Sequence, residues 1–143
     1  MPPRPPAVTP IGLQLTRTAR SLSTAFERAM AEAGGSASTW QVLVLVRAEQ
    51  WGTQSSLAEA MGVTGATLTH HLNGLERSGL VRRWREDGNR RVQRVALTDE
   101  GEALFERLRG VAVAHDARLR SKLSDAEVEQ LSELLERLHS GLD

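Results

Sequence analysis

The fold of this chain is decided by residues 53–98, TQSSLAEAMGVTGATLTHHLNGLERSGLVRRWREDGNRRVQRVALT. A short helix is expected to lead through a tight turn into a longer helix, and an arginine-rich hairpin follows. This order is the sequence form of a winged helix-turn-helix. A helix with a small, polar outer face can enter the major groove of DNA, and arginines at a hairpin tip can reach the adjacent backbone or minor groove. The stretch therefore predicts a DNA-binding lobe.

Capping and turn signals predict the elements of this lobe. Ser55 or Ser56 is expected to cap the short helix, and Gly62 to end it in the left-handed conformation. Thr64 is expected to cap the longer helix. Two strands are predicted over residues 80–86 and 91–97, because Asp-Gly-Asn at 87–89 is a hairpin turn signal.

The longer helix has one apolar and one polar side. At 3.6 residues per turn, Leu68, Leu72 and Leu75 fall on the same side, which is expected to be buried. The opposite side and the arginines of the hairpin tip are the predicted DNA contacts. They are Thr64, Ala66, Thr67, Thr69, His70, Asn73, Arg77, Arg90 and Arg91.

Four segments are expected along the chain. Residues 1–9 are rich in proline and predict a flexible arm. The winged helix-turn-helix lobe is expected over residues 36–98. A helical dimerisation region is expected to consist of residues 10–35 and 99–143. The predicted fold class is mainly α with a small β-hairpin, in which long N- and C-terminal dimerisation helices flank the winged helix-turn-helix core.

The C-terminal helix is the strongest indication of a dimer. Capping-box patterns that begin at Ser38, Asp99 and Ser124 predict the second, fifth and sixth helices. In the sixth helix, apolar residues alternate at spacings of three and four from Val128 to Leu142. A small domain rarely needs such a seam at its terminus. The seam therefore predicts a homodimer.

Charge is distributed unevenly along the chain. The 18 basic and 18 acidic residues give a formal net charge of zero. Between Arg77 and Arg94, however, seven arginines stand against two acids, whereas residues 99–143 hold eleven acids against six bases. A basic wing on an acidic body is expected, and the basic part is where DNA phosphates would bind.

Composition excludes several classes of function. Without cysteine the chain has no disulfide, no thiol nucleophile or redox switch and no cysteine-ligated zinc. No uncharged run of 18 residues is present, so a soluble cytoplasmic protein with no membrane partner is expected.

Neither a metal site nor an active site is predicted. The four histidines, at 70, 71, 115 and 139, lack the spacing of zinc ligands. No glycine-rich phosphate loop and no local nucleophile–base arrangement is present. The chain is therefore predicted not to be an enzyme and to use no cofactor.

Short motifs between residues 39 and 109 are typical of one family. They lie at 40–43, 57–63, 67–69 and 75–81, and in the wing at Asn89 and Arg91 followed by Leu97-Thr98. These motifs resemble the second helix, the helix-turn-helix and the wing of the MarR family of bacterial transcription regulators. The resemblance implies a homodimer that binds a pseudo-palindromic operator in double-stranded DNA and represses a nearby operon until a small molecule relieves it. A winged-helix module for protein contacts, without its own operator, is the alternative.

Two residues depart from the pattern of the family. Asn89 stands where an aspartate usually braces the wing arginine through a charged hydrogen bond. His70 stands where arginine is common, and histidine lacks the bidentate fork of a guanidinium. The base preference of relatives therefore does not transfer to this chain.

The resemblance also implies an effector cleft between the dimerisation helices and the DNA-binding lobe. A small aromatic or anionic effector is expected, and not an oxidant or a metal, because cysteine is absent and the histidines are scattered. Trp40 would provide an aromatic wall, and Arg17 or Arg20 would meet a carboxylate. The alternative for Trp40 is a purely structural place in the core.

Overall fold

The computed structural model describes residues 8–48 and 52–143. In chain order these residues form α1 (Ile11–Glu32), α2 (Ala37–Ala48), α3 (Gln54–Met61), α4 (Gly65–Arg77), β1 (Val81–Glu86), β2 (Asn89–Leu97), α5 (Asp99–Arg120) and α6 (Asp125–Ser140). The predicted fold class, mainly α with a winged helix-turn-helix and a small hairpin, is confirmed. Of the arm predicted over residues 1–9, residues 1–7 lie outside the described part.

Two helices begin at a different cap from the predicted one. The hydroxyl of Ser36, not of Ser38, accepts the backbone N–H of Thr39 at 3.0 Å at the start of α2. Thr98, not Asp99, caps α5 in an extended conformation. In both places a second capping-type residue follows within two positions, and short-range signals do not distinguish between them.

The remaining caps include one further correction. Thr53 caps α3, so the expected Ser55 and Ser56 lie inside the helix. Thr64 caps α4 as predicted, and Gly62 ends α3 in the left-handed conformation at φ 67°. The capping box of α6, between Ser124 and Glu127, is complete in both directions.

Two clusters of buried side chains form the core. The first joins α2, α3, α4 and the hairpin, through Val42, Val46, Leu57, Ala58, Leu68, Leu72, Leu75, Val81 and Val95. The second joins α1, α2 and α5, through Met30, Leu43, Leu104 and Leu108. Because α2 contributes to both clusters, this helix connects the winged helix-turn-helix lobe to the flanking helices.

The hairpin is antiparallel and irregular near its tip. The register runs from Val81 opposite Leu97 to Arg85 opposite Gln93, and then shifts so that Glu86 faces Asn89. Residues 90–92 consequently lie in a bulge, and Asn89 belongs to β2 instead of the predicted turn. Gly88 closes the turn at φ 86°. A bulge re-aims the side chains that it contains, so it decides where the arginines at the tip point.

Helix α6 leaves its apolar side uncovered. None of its residues is buried, and Leu131, Leu135 and Leu138 are each 44–45% exposed. Among the described residues, no helix combines the length and the apolar character that crossing a bilayer requires.

Candidate nucleic-acid interface

The outer side of α4 is the centre of the candidate site. Leu68, Leu72 and Leu75 are buried as predicted, which turns the opposite side of the helix to solvent. Ala66, His70, Asn73 and Arg77 are all exposed and occupy that opposite side. Four of the predicted contact residues therefore share one accessible face.

Thr64 and Thr67 form the N-terminal end of this face. The hydroxyl of Thr64 accepts the backbone N–H of Thr67 at 3.2 Å and donates to the hydroxyl of Thr67 at 3.0 Å. Both threonines are exposed. The hydroxyl of Thr67 retains its own hydrogen for a further acceptor, whereas Thr64 mainly holds the helix start.

Thr69 is held by a residue that the sequence analysis did not single out. Gln54, the first residue of α3, donates from Nε2 to the hydroxyl of Thr69 at 2.7 Å. The Oε1 atom of Gln54 is buried and has no hydrogen-bond partner within the described part of the chain. With the cap expected at Ser55 or Ser56, the sequence placed Gln54 before the helix, and it carried no signal for the contact of Gln54 with α4.

Asn73 is held by a second such residue. Arg83, in the middle of β1, donates from Nη2 to Oδ1 of Asn73 at 2.5 Å. The same guanidinium donates to both carboxylate oxygens of Glu76, at 3.2 and 3.3 Å. The hydrogen bond from Arg83 holds the pKa of Glu76 below its usual range. Arg83 thus links the wing to α4.

The wing arginines lie at the bulge. Arg90 and Arg91 are both exposed. The guanidinium of Arg85 donates to the backbone carbonyl of Arg90 at 2.7 Å, and Oδ1 of Asn89 accepts the backbone N–H of Arg91 at 3.3 Å. Asn89 therefore braces the backbone of the tip, which differs from the charged brace of a guanidinium that the family pattern implies.

An open cleft connects the wing with the helix-turn-helix. It has a volume of about 480 Å³ and is lined by Thr53, Gln54 and Ser55 from the start of α3, by Gly65 and Thr69 of α4, and by Arg91 to Gln93 of the wing. The N-terminal ends of two helices and one wing arginine thus face the same space, which suits a negatively charged group.

The three residues expected to bind an effector lie on two helices, Arg17 and Arg20 on α1 and Trp40 on α2. Trp40 stacks on Phe105 with ring centroids 5.4 Å apart and packs against the second core cluster. Arg17 and Arg20 are exposed on α1. Of the two alternatives for Trp40, its surroundings favour the structural one.

A different cleft lies between the flanking helices and the DNA-binding lobe. Its volume is about 480 Å³, and its lining combines apolar, hydroxyl and basic side chains. The lining residues are Gly34, Gly35, Ser36, Thr39, Val42, His70, His71, Gly74, Leu75, Arg77, Ser78, Leu80 and Leu104. None of Arg17, Arg20 and Trp40 lines this cleft.

The histidines lie on three helices, α4, α5 and α6. His115 contacts the ring of Phe26 at 5.2 Å, while His70 and His71 are neighbours on α4 with ring centroids 6.1 Å apart. Within residues 8–48 and 52–143, no three histidine, aspartate or glutamate side chains are grouped closely enough to hold a metal ion.

Comparison with known proteins finds a similarity to one family. Residues 36–92 match the model of the MarR family. The transcriptional regulator PecS of Dickeya dadantii (strain 3937) is 35% identical over 88 residues, which span 62% of this chain and 53% of PecS.

Solved structures extend the similarity beyond the winged lobe. The repressor CouR, solved with a 23-mer DNA duplex, is 26% identical, with a TM-score of 0.81 over 91% of this chain and 92% of that one. MepR of S. aureus, solved with DNA, has a TM-score of 0.84 over 94% of this chain and 99% of its own, and at 23% identity it shows the shared fold. Residues 36–92 thus resemble the MarR family, and the described chain shares the fold of CouR and MepR.

Proposed function

We propose that this chain is a sequence-specific DNA-binding regulator of transcription, a homodimeric repressor of a nearby operon that a small molecule relieves. The observation that carries the proposal is the exposed polar face of α4, which lies beside a bulged wing with two exposed arginines. The fold shared with CouR and MepR, both solved with DNA, supports it. A cytoplasmic location stays a prediction.

In this proposal α4 enters the major groove. Ala66, His70, Asn73 and Arg77 face the bases, since they are the exposed residues opposite the buried leucines. Asparagine pairs with adenine and arginine with guanine when their side chains reach base edges. The threonines at the start of the helix, Thr64, Thr67 and Thr69, lie where phosphates or the first base would be.

The wing provides charge without base recognition. Arg90 and Arg91 are exposed at the bulge, whereas two other wing arginines, Arg83 and Arg94, form ion pairs with Glu76 and Glu86. The number of arginines available to phosphates is therefore smaller than the sequence suggests. Each phosphate contact contributes about 0.9 to the slope of log K against log salt, so that slope measures how many arginines take part.

The dimer is proposed to form through residues 10–35 and 99–143. Leucines are exposed on α6, and Ile11 and Leu13 on α1 and Val113 on α5 are exposed as well. A second copy of the chain can cover these apolar side chains, because a two-fold dimer pairs the same surface of both copies. Such a dimer also presents one reading helix to each half of a palindrome.

The proposed effector is a small aromatic or anionic molecule in the cleft between the flanking helices and α4. Its apolar lining includes Val42 and Leu104, and its polar lining includes Thr39, His71 and Arg77. Because His71 and Arg77 belong to α4, an occupant would contact the reading helix itself. Release of DNA then requires that the ligand bind more tightly to the DNA-incompetent arrangement. A second candidate effector site consists of Arg17, Arg20 and Trp40.

Gel shifts test the proposal on DNA from the region beside its own gene and on random DNA, at several salt concentrations. We expect sequence-selective binding by the wild-type protein. Arg91→Ala should weaken binding to all sequences, while Asn73→Ala should lower discrimination at particular base pairs by about 1–3 kcal/mol. Equal losses on both DNAs for both variants would contradict this division of roles. Binding without any selectivity would favour the protein-contact module instead.

A further inference from the structure

Arg83 differs from the other arginines of the winged lobe in that its side chain is only 12% exposed. It lies on β1, and its guanidinium points towards α4. There it donates to Oδ1 of Asn73 at 2.5 Å and to the two carboxylate oxygens of Glu76 at 3.2 and 3.3 Å. Three of its donor contacts are therefore made within the protein.

These contacts leave Arg83 poorly suited to bind a phosphate. Its charge is compensated by Glu76, and a phosphate would have to displace that carboxylate. Arg90 and Arg91 are exposed at the wing tip and offer phosphates an easier contact. The function of Arg83 therefore depends on its hydrogen bonds to Asn73 and Glu76.

We propose that Arg83 is a specificity-determining positioning residue, which fixes the amide of Asn73 and thereby decides which base pair Asn73 accepts. Arg83 itself does not contact DNA. This inference rests on the proposed function, because Asn73 is one of the base-facing residues of α4.

The chemistry of the two side chains gives the reason. An asparagine amide has an acceptor at one end and two donors at the other, and a rotation of 180° exchanges them, whereas a guanidinium only donates. The rotated amide would place its NH₂ group against the N–H groups of Arg83 and would lose a charge-assisted hydrogen bond. Arg83 thus selects the orientation in which Oδ1 accepts from the wing with one lone pair, while its second lone pair and the Nδ2 donors remain available to a base.

This orientation matters because base recognition depends on the order of donors and acceptors. The bidentate pair of asparagine with adenine needs Oδ1 beside the N6 amino group and Nδ2 beside N7 at the same time. Without Arg83 both amide orientations are accessible, so the side chain accepts more than one base. Holding one orientation before binding also reduces the entropy that the contact costs.

Glu76 is the anchor on which this arrangement depends. It lies one helical turn after Asn73, so both acceptors face the same strand. The two hydrogen bonds from Arg83 to Glu76 fix the plane of the guanidinium and with it the direction of the third bond. A lysine at position 83 would retain the charge but has a single ammonium group, which cannot reproduce this planar fork.

The test uses the full chain and compares Arg83→Met and Arg83→Lys with the wild type. A binding sequence is first selected from random DNA with the wild-type protein, and each base pair is then exchanged in turn. We expect both variants to lose discrimination by about 5- to 150-fold at the base pair that Asn73→Ala also affects, and to keep it elsewhere. In the Asn73→Ala background, replacement of Arg83 should cause no further loss at that base pair.

Salt dependence and a matched variant separate positioning from simple charge. The slope of log K against log salt should stay unchanged in Arg83→Met, because no phosphate contact is removed. Arg85→Met is the control: it removes the same charge from the same strand, at an exposed position. Because it also removes the hydrogen bond to the carbonyl of Arg90 at the wing tip, it should weaken binding to all sequences alike and leave discrimination at the Asn73 base pair intact. Thermal unfolding shows whether each variant is folded. If Arg83→Met does not fold, Arg83→Lys alone provides the test.

Each other outcome has a distinct meaning. Undiminished discrimination in both Arg83 variants, with a selective wild type, would overturn the inference and leave the proposed function standing. A slope lowered by about 0.9 with equal losses on all sequences would show that Arg83 contacts a phosphate, and would also overturn it. A wild-type protein without sequence preference would overturn the proposed function and the inference together.

Discussion

A methyl group added at Gly101 should loosen the connection between the DNA-binding lobe and α5. Gly101 is buried in the first turn of α5, where the helix passes close to the chain between α4 and β1. A Cβ atom at this position would overlap the carbonyl oxygen of Leu80 and lie 3.0 Å from its carbonyl carbon and 3.3 Å from Cβ of Leu97. Because the obstacle is backbone, no side-chain rotation relieves the overlap.

The expected cost of Gly101→Ala combines three effects. Overpacking typically destabilises a protein by about 1–3 kcal/mol. A shift of α5 would also weaken two hydrogen bonds of Thr98, from its N–H to the carbonyl of Leu80 at 3.1 Å and from its hydroxyl to the carbonyl of Gly79 at 2.5 Å, each of which contributes about 1 kcal/mol. The better helix propensity of alanine offsets about 1 kcal/mol. We expect a net destabilisation of about 2–3 kcal/mol.

Gly110→Ala is the matched control in the same helix. Gly110 is exposed, and a Cβ there would have nothing within 4 Å, so alanine should stabilise the protein by about 0.5–1 kcal/mol. Urea unfolding at one fixed protein concentration measures both variants. With a slope of about 2 kcal/mol per M, the midpoint of Gly101→Ala should fall by roughly 1 M urea while that of Gly110→Ala rises. An unchanged or higher midpoint for Gly101→Ala would refute the steric reasoning.

Three further predictions concern the dimer, the effector and pH. Leu135→Asp places a charge on the exposed apolar side of α6, so sedimentation should show dissociation to monomers. Glu133→Gln is the control and should remain dimeric. A dimeric Leu135→Asp would contradict the proposed interface. Operator release should occur with some aromatic acids but not with peroxide or zinc at low concentration, and the reverse pattern in gel shifts would exclude the proposed effector class. The N–H and the hydroxyl of Ser124 lower the pKa of Glu127, so the ionised carboxylate stabilises the folded state. This contribution to stability is complete above the ordinary pKa of glutamate and is lost as the pH falls through the lowered pKa. The unfolding curves of Glu127→Gln and of the wild type should therefore converge in acid. A difference that does not depend on pH would count against the capping role.

Local features of this protein were predictable from the sequence. The cap at Thr64, the left-handed end at Gly62, the capping box at Ser124 and the buried leucines of α4 all depend on residues within one or two helical turns. Such contacts form wherever the helix forms, so spacing is sufficient to predict them. Where two capping residues stand close together, as at Thr98 and Asp99, spacing alone did not predict which of them caps the helix. The packing of the helix decided where it starts.

The contacts that orient the DNA-facing side chains are decided only by the tertiary structure. Arg83 and Asn73 are 10 residues apart, and Gln54 and Thr69 are 15 apart. Neither pair can meet until α3, α4 and the hairpin pack around their common core. The same holds for Trp40, which stacks on Phe105 of α5 although the two residues are far apart in the sequence. A sequence pattern indicates which face of a helix is polar, but the partner of each polar side chain depends on how distant segments cross, and that depends on the packed core.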